Sequence, residues 1–204
     1  MALVKYNNNS LSAITSASSL PTGAMTLIKS QTASSSSTIN FVHGTSDVVL
    51  DSTYPIYLFK FISIHPSAEA DLQFQGNAAG GSGYNETITS TYIRAYHTEG
   101  GGSSGFGYST GSDKAQGTDF QILLDDVGND NDQCGSGYLH LFNPSSTTFV
   151  KHFIATMNYT QGSDEGINTF VGGYFNTTSA IDEIQFKMHS GNIDAGDICL
   201  YGIL

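Results

Sequence analysis

Apolar residues in this chain recur mainly at every second position, in short runs divided by Gly, Ser, Thr, Asn and Asp. That period is the signature of strands with one buried face. Ile184-Gln-Phe-Lys-Met188 is the cleanest case, with Ile184, Phe186 and Met188 on one side and Gln185 and Lys187 on the other. Tyr54 to His65 is apolar on both sides. Ile56, Leu58, Ile62 and Ile64 share one face, and Tyr57, Phe59 and Phe61 share the other. Such a run suits a central strand or one bridging two packed layers. Further strands are predicted over 24–32 and 38–43, as a hairpin around Ala33-Ser-Ser-Ser-Ser37, and over 71–75, 87–97 and 137–142. Others fall at 148–159, with Phe149, Phe153, Ala155 and Met157 on one face, and at 169–175 and 198–204.

Two stretches read differently. Phe120, Leu123, Leu124 and Val127 fit helical spacing, so 120–127 is the candidate for a single short helix. Gly100 to Gly111 holds six glycines in twelve residues and reads as an exposed loop. The expected fold is therefore all-β: an antiparallel jelly-roll-like β-sandwich of about nine or ten strands with at most one short helix. Residues 1–23 are Ser/Asn/Ala-rich and read as an N-terminal arm, leaving 24–204 as a single β-sandwich domain. The apolar run Ile198–Leu204 reads as a closing strand tucked into a sheet, which would make the chain one finished β-domain.

Charge narrows the choice of partners. Charged residues make up 12% of the chain, about half the usual share of about 25%, and the uncharged surface suits a rigid extracellular or virion β-protein. The net charge is −11 and Arg94 is the sole arginine. Phosphate recognition relies on clustered Lys and Arg, so nucleic acid is excluded as a partner, and so are anionic membrane surfaces. No apolar run is long enough to cross a membrane as a helix, and Met1–Asn9 contains no signal-peptide core, so synthesis in a cytoplasm is expected. Cys134 and Cys199 could form one disulfide but show no metal or redox spacing.

Candidate chemistry is sparse. Asp125, Asp126, Asn129, Asp130, Asn131 and Asp132 form the densest oxygen cluster, able in principle to offer Ca²⁺ hard ligands; Asp126, Asp130 and Asp132 are the candidates. A solvated acidic loop explains them as well, because the EF-hand position twelve is Leu141 rather than Glu. The six histidines show no ligand spacing, although His140 and His152 lie on neighbouring predicted strands. No G-x-S-x-G or G-x-G-x-x-G is present in a fitting context. Asp182 and Glu183 are adjacent in a predicted strand and should point to opposite faces, a poor acid/base couple. No catalytic constellation emerges, and a non-enzymatic role is expected. Tyr84, Tyr92, Tyr96, Phe106 and Tyr108 lie in or near the glycine-rich loops. Tyr84, Tyr92, Tyr96 and Tyr108 are the candidate glycan contacts, although tyrosines at sheet edges and subunit contacts are equally ordinary.

Several stretches carry a resemblance: Met1-Ala-Leu-Val-Lys-Tyr-Asn-Asn-Asn9, Gly76-Asn-Ala-Ala-Gly-Gly-Ser-Gly-Tyr-Asn-Glu-Thr87, Leu141-Phe-Asn-Pro-Ser-Ser-Thr-Thr148, Tyr174 to Met188, and the closing Leu200-Tyr-Gly-Ile203. Together they resemble virion-associated structural proteins of marine tailed phages, over nearly the whole chain. Cys199 departs from the Lys that usually stands in the terminal motif. The resemblance implies a bacteriophage structural protein, a jelly-roll subunit used for capsid decoration or in the tail. It implies other virion proteins as partners and a homo-oligomer, a trimer or other ring, assembled through the sandwich edges and the N-terminal arm over 1–23. The alternative is a glycan- or receptor-binding module at a tail or fibre tip.

Overall fold

The computed structural model describes residues 24–204, so the expected arm over 1–23 lies outside the described residues. Thirteen strands follow in order: β1 (Met25–Thr32), β2 (Ile39–Val42), β3 (Ile56–Pro66), β4 (Ala70–Ala78), β5 (Ile88–Thr98), β6 (Ser104–Tyr108), β7 (Ala115–Gly117), β8 (Gln121–Val127), β9 (Gly135–Phe142), β10 (Lys151–Gln161), β11 (Glu165–Phe175), β12 (Ile181–Met188) and β13 (Ile193–Ile203). All their pairings are antiparallel. The all-β class is as expected. No helix occurs among the described residues.

Strand order reveals a jelly roll with an extension. One sheet begins β1-β13-β3-β9, and the other runs β2-β12-β4-β8. Chain neighbours β1 and β2, β3 and β4, β8 and β9, and β12 and β13 therefore sit in opposite sheets. That alternation is the double Greek key of a jelly roll. Two insertions widen only the first sheet: β10 and β11 continue it from β9, then β5 follows, flanked by β6 and β7. A single pairing of Gln161 with Val127 closes the corner between the sheets.

Aromatic side chains fill the seam. Phe59 and Phe61 of β3 meet Phe186 of β12 edge-on at 5.2 and 5.1 Å between ring centroids. Phe153 of β10 meets Phe74 of β4 edge-on at 5.0 Å. All five rings are buried. Burying a side chain of this size contributes about 1.5–3 kcal/mol, and a well-oriented aromatic pair adds about 0.5–1.5 kcal/mol. Gly173 makes room for this packing: a Cβ there would lie 2.7 Å from the Phe153 ring.

Four expectations about elements are corrected. First, the 120–127 segment is not a helix but holds strand β8, Gln121–Val127. The register against β4 shifts twice, between Ala70 and Leu72 and between Leu72 and Gln73. The irregularities turn Leu123, Leu124 and Val127 all inward, which imitates a helical spacing. Second, the Ala33–Ser37 segment does not turn a hairpin, because β1 pairs with β13 and β2 with β12. Third, the glycine-rich 100–111 segment contains β6, and with β7 this takes the count above the expected nine or ten. Fourth, Phe149 precedes β10 and is exposed, while Phe153, Ala155 and Met157 are buried as anticipated. In β3 the inward face is Tyr57, Phe59 and Phe61. A register shift between Phe61 and Ile64, with Ser63 at φ +49°, then turns Ile64 inward as well.

Candidate functional site

The insertion strands overhang the smaller sheet, and a groove of about 310 Å³ forms there on β5 and β6. Alternation along β5 buries Ile88, Ser90 and Tyr92. Arg94 and Tyr96 continue on that same face. In the pairing with β6, Arg94 lies opposite Gly107 and Tyr96 opposite Gly105. A Cβ at Gly105 would fall 2.6 Å from the Tyr96 ring, so glycine is needed for the ring to lie across β6. The Arg94 guanidinium stands 5.5 Å from the Tyr96 ring centroid, within cation–π range. It also reaches the Asp125 carboxylate of β8 at 3.6 Å, with about a third of the arginine side chain still exposed.

Electrostatics around this groove are mixed. Burial pushes the Asp125 carboxyl up, the neighbouring Asp71 and Asp126 push it further, and Arg94 opposes them. The Asp125 amide donates to the Tyr159 hydroxyl at 3.0 Å, and the Asp126 amide donates to Asp71 Oδ1 at 2.9 Å. Beneath them Tyr92 Oη is buried without a hydrogen-bond partner. Burial pushes both Tyr92 and Tyr159 well above the ordinary phenol range. The groove thus offers a ligand one cation, one aromatic face and a strip of glycine backbone.

The four candidate tyrosines are dispersed. Tyr96 and Tyr108 both line this groove. Tyr84 lies elsewhere, in a surface depression with Lys114, Phe120 and Lys187, where Lys187 Nζ sits 4.1 Å over the Phe120 ring. Burial, then Glu183 and Asp182, push the Tyr84 phenol up. β12 has a register shift between Ile181 and Glu183, so the adjacent pair departs from strict alternation. Tyr92 has no exposed surface and is corrected from glycan contact to core residue.

The acidic candidates are likewise separated. Among the described residues no three His, Cys, Asp or Glu side chains converge as a metal-binding group, so Asp126, Asp130 and Asp132 do not form the anticipated cluster. Gln133, which the sequence reading passed over, organises this loop. Its side chain accepts from the Asp130 amide at 3.2 Å and donates to Asp164 Oδ1 at 2.9 Å. His140 and His152 share the outer face of the large sheet but do not pair; His140 stacks on Phe142 and His152 packs on Tyr174. Cys134 and Cys199 are both free. Arg94 could have been singled out from sequence as the only guanidinium in an acidic chain, but its partner across the fold could not.

No protein-family model, curated protein or solved structure matches this chain.

Proposed function

We propose that this chain is a non-enzymatic structural subunit of a phage virion, a capsid decoration or tail component made in the host cytoplasm and built into a homo-oligomer beside other virion proteins. The observation that carries this reading is where its buried polar side chains are used. Gln75 Nε2 donates to the carbonyls of Glu86, Thr118 and Asp119 at 3.0, 3.1 and 3.2 Å. Gln121 Nε2 donates to the Ser112 carbonyl at 2.9 Å. The fully buried Lys151 donates to the carbonyls of Phe149 and Thr177 at 2.9 and 3.2 Å. Each of these side chains ties loop backbone to a sheet. Buried groups satisfied in this way stiffen a scaffold. A stiff jelly roll with few charged residues is what a shell or tail subunit needs, and the sequence resemblance points the same way.

Cryo-electron microscopy of the intact particle tests the proposal. Symmetric copies of this fold on the capsid lattice or in the tail would support it. Absence of the chain from purified particles would overturn it.

The Arg94–Tyr96 groove favours a second reading, a glycan- or receptor-binding module. An aromatic face beside a cation suits a saccharide carrying a carboxylate. Glycan-array binding lost in both Arg94→Ala and Tyr96→Ala would support that reading, and an array without any bound saccharide would remove it.

A further inference from the structure

The outer face of the large sheet exposes Ile62, Tyr138, Ile154 and Phe170 among Thr, Asn and His side chains, and its centre is free of carboxylates in a chain of net charge −11. Strands β3, β9, β10 and β5 contain no Asp or Glu at all. Those of β11 and β13, namely Glu165, Asp194 and Asp197, fall at the end where β10 turns into β11. Beyond β5 the face is bounded where the Tyr108 hydroxyl donates to Asp113. Within these limits one register row runs Lys60, Tyr138, Thr156, Phe170 and Ile93, and Ile154 stands in the next row. Tyr138, Phe170 and Ile154 are 43%, 48% and 52% exposed, although each lies in the middle of a sheet.

Area and charge together identify what covers this face. Six strands from β13 to β5, spaced by about 4.8 Å and about eight residues long, outline roughly 700–800 Å², with Asp197 at the margin. That outline, polar side chains included, matches the roughly 800 Å² that one partner of a standard interface contributes, and it holds four half-exposed apolar side chains at its centre. The face has no strong charge with which to select a cationic or anionic partner. Two copies of so acidic a chain repel each other through most of their surface. Here they can meet with no carboxylate opposed to another. We propose that this face binds a second copy of this chain. The inference gives a contact surface to the homo-oligomer proposed above, and a monomeric chain found in purified particles would overturn it while leaving the virion reading in place.

The test is the mass of the full chain in solution, by sedimentation or light scattering at about 50 µM and physiological salt. The expected result is a closed oligomer with a mass that is a multiple of 21.7 kDa. A two-fold pair would bury the face on both copies, and a ring would set it against a neighbour's edge; either supports the proposal if the following variant breaks it. Ile154→Asp with Phe170→Asp places two carboxylates on the face, and should weaken association at least a hundredfold while the far-ultraviolet spectrum is unchanged. Asn40→Asp adds a charge on the smaller sheet, where Asn40 Oδ1 already accepts from Gln185, and should leave association intact. A monomeric wild-type chain overturns the proposal. So does an oligomer that ignores the double substitution. Both variants are surface changes, so circular dichroism separates lost association from lost folding.

Discussion

Truncating Phe186 to alanine removes the ring on which the two sheets meet. Phe186 is fully buried on β12. It touches Phe59 and Phe61 across the sandwich, and Phe41 and Phe74 within its own sheet, with centroid separations of 5.1 to 6.2 Å. Cutting a buried Phe to Ala costs about 3–5 kcal/mol, depending on how far the surroundings collapse. Collapse is limited here, because its neighbours are four rings anchored on three different strands, three of them edge-on to Phe186. The expected loss is therefore in the upper part of that range, about 4–5 kcal/mol. With a urea m-value of about 2–3 kcal/mol/M, the unfolding midpoint should fall by roughly 1.5–2.5 M. The chain has no Trp, so far-ultraviolet circular dichroism is the appropriate probe. Phe170→Ala, on the outer face of β11, is the control and should cost less than about 1 kcal/mol in dilute solution. Equal shifts for the two variants would refute the inward and outward assignment on which the sandwich rests.

Three further outcomes follow from buried polar groups. Lys151→Ala leaves the Phe149 and Thr177 carbonyls without their donor, and should cost about 2–4 kcal/mol by urea denaturation. Lys151→Met, which keeps the volume and removes the desolvated ammonium, should recover part of that loss. Burial raises Tyr57 to about 12 and pushes Tyr92 and Tyr159 up as well, so their stabilisation is complete below pH 10 and is lost as pH rises through the folded values. Absorbance at 295 nm should show the exposed tyrosines ionising first and these three only with unfolding; one reversible step for all eleven would contradict their burial. Desolvation holds His140 below its usual 6.5, so its contribution is present above that value and fades as pH falls through the lower folded value. His140→Gln should flatten that part of the acid limb in a stability-versus-pH series.

Strand positions were legible wherever one face is buried and the ladder is regular. β12 and β10 have clean alternation, and their inward sets, Ile184, Phe186 and Met188, and Phe153, Ala155 and Met157, are the ones the sequence suggests. Legibility failed at bulges. In β8 and in the second half of β3 a shifted register moves a residue to the other face, and period two is lost over a few positions. Pairing was less legible than position. Nothing local in Ala33–Ser37 distinguishes a hairpin turn from a crossover, because the decision rests on β13 arriving from the far end of the chain to pair with β1. Site residues suffered most. Tyr92 and Tyr96 look equivalent in sequence, and only the length of the cover provided by β8 separates a core residue from a groove residue.

The groove and the outer face have one structural origin. Without β5–β7 and β10–β11, the remaining eight strands would make two sheets of four, each covering the other's inner side. The insertions lengthen one sheet alone, so part of its inner side lies beyond the reach of the smaller sheet. There the inward alternation of β5 cannot remain apolar, and it passes from Tyr92 to Arg94 and Tyr96, with glycines opposite on β6. The same strands carry Phe170 and Ile93 on their other side, and so widen the carboxylate-free outer face. These positions bear on opposite functions. A ligand site needs only the inner side of the overhang, whereas self-association needs only the outer side. Charge substitutions at Ile154 and Phe170 should therefore break assembly without affecting the groove, and substitutions at Arg94 and Tyr96 should empty the groove without dissociating the oligomer. If both pairs abolished both properties, the overhang would be acting as one folding unit, and neither surface could be assigned a role of its own.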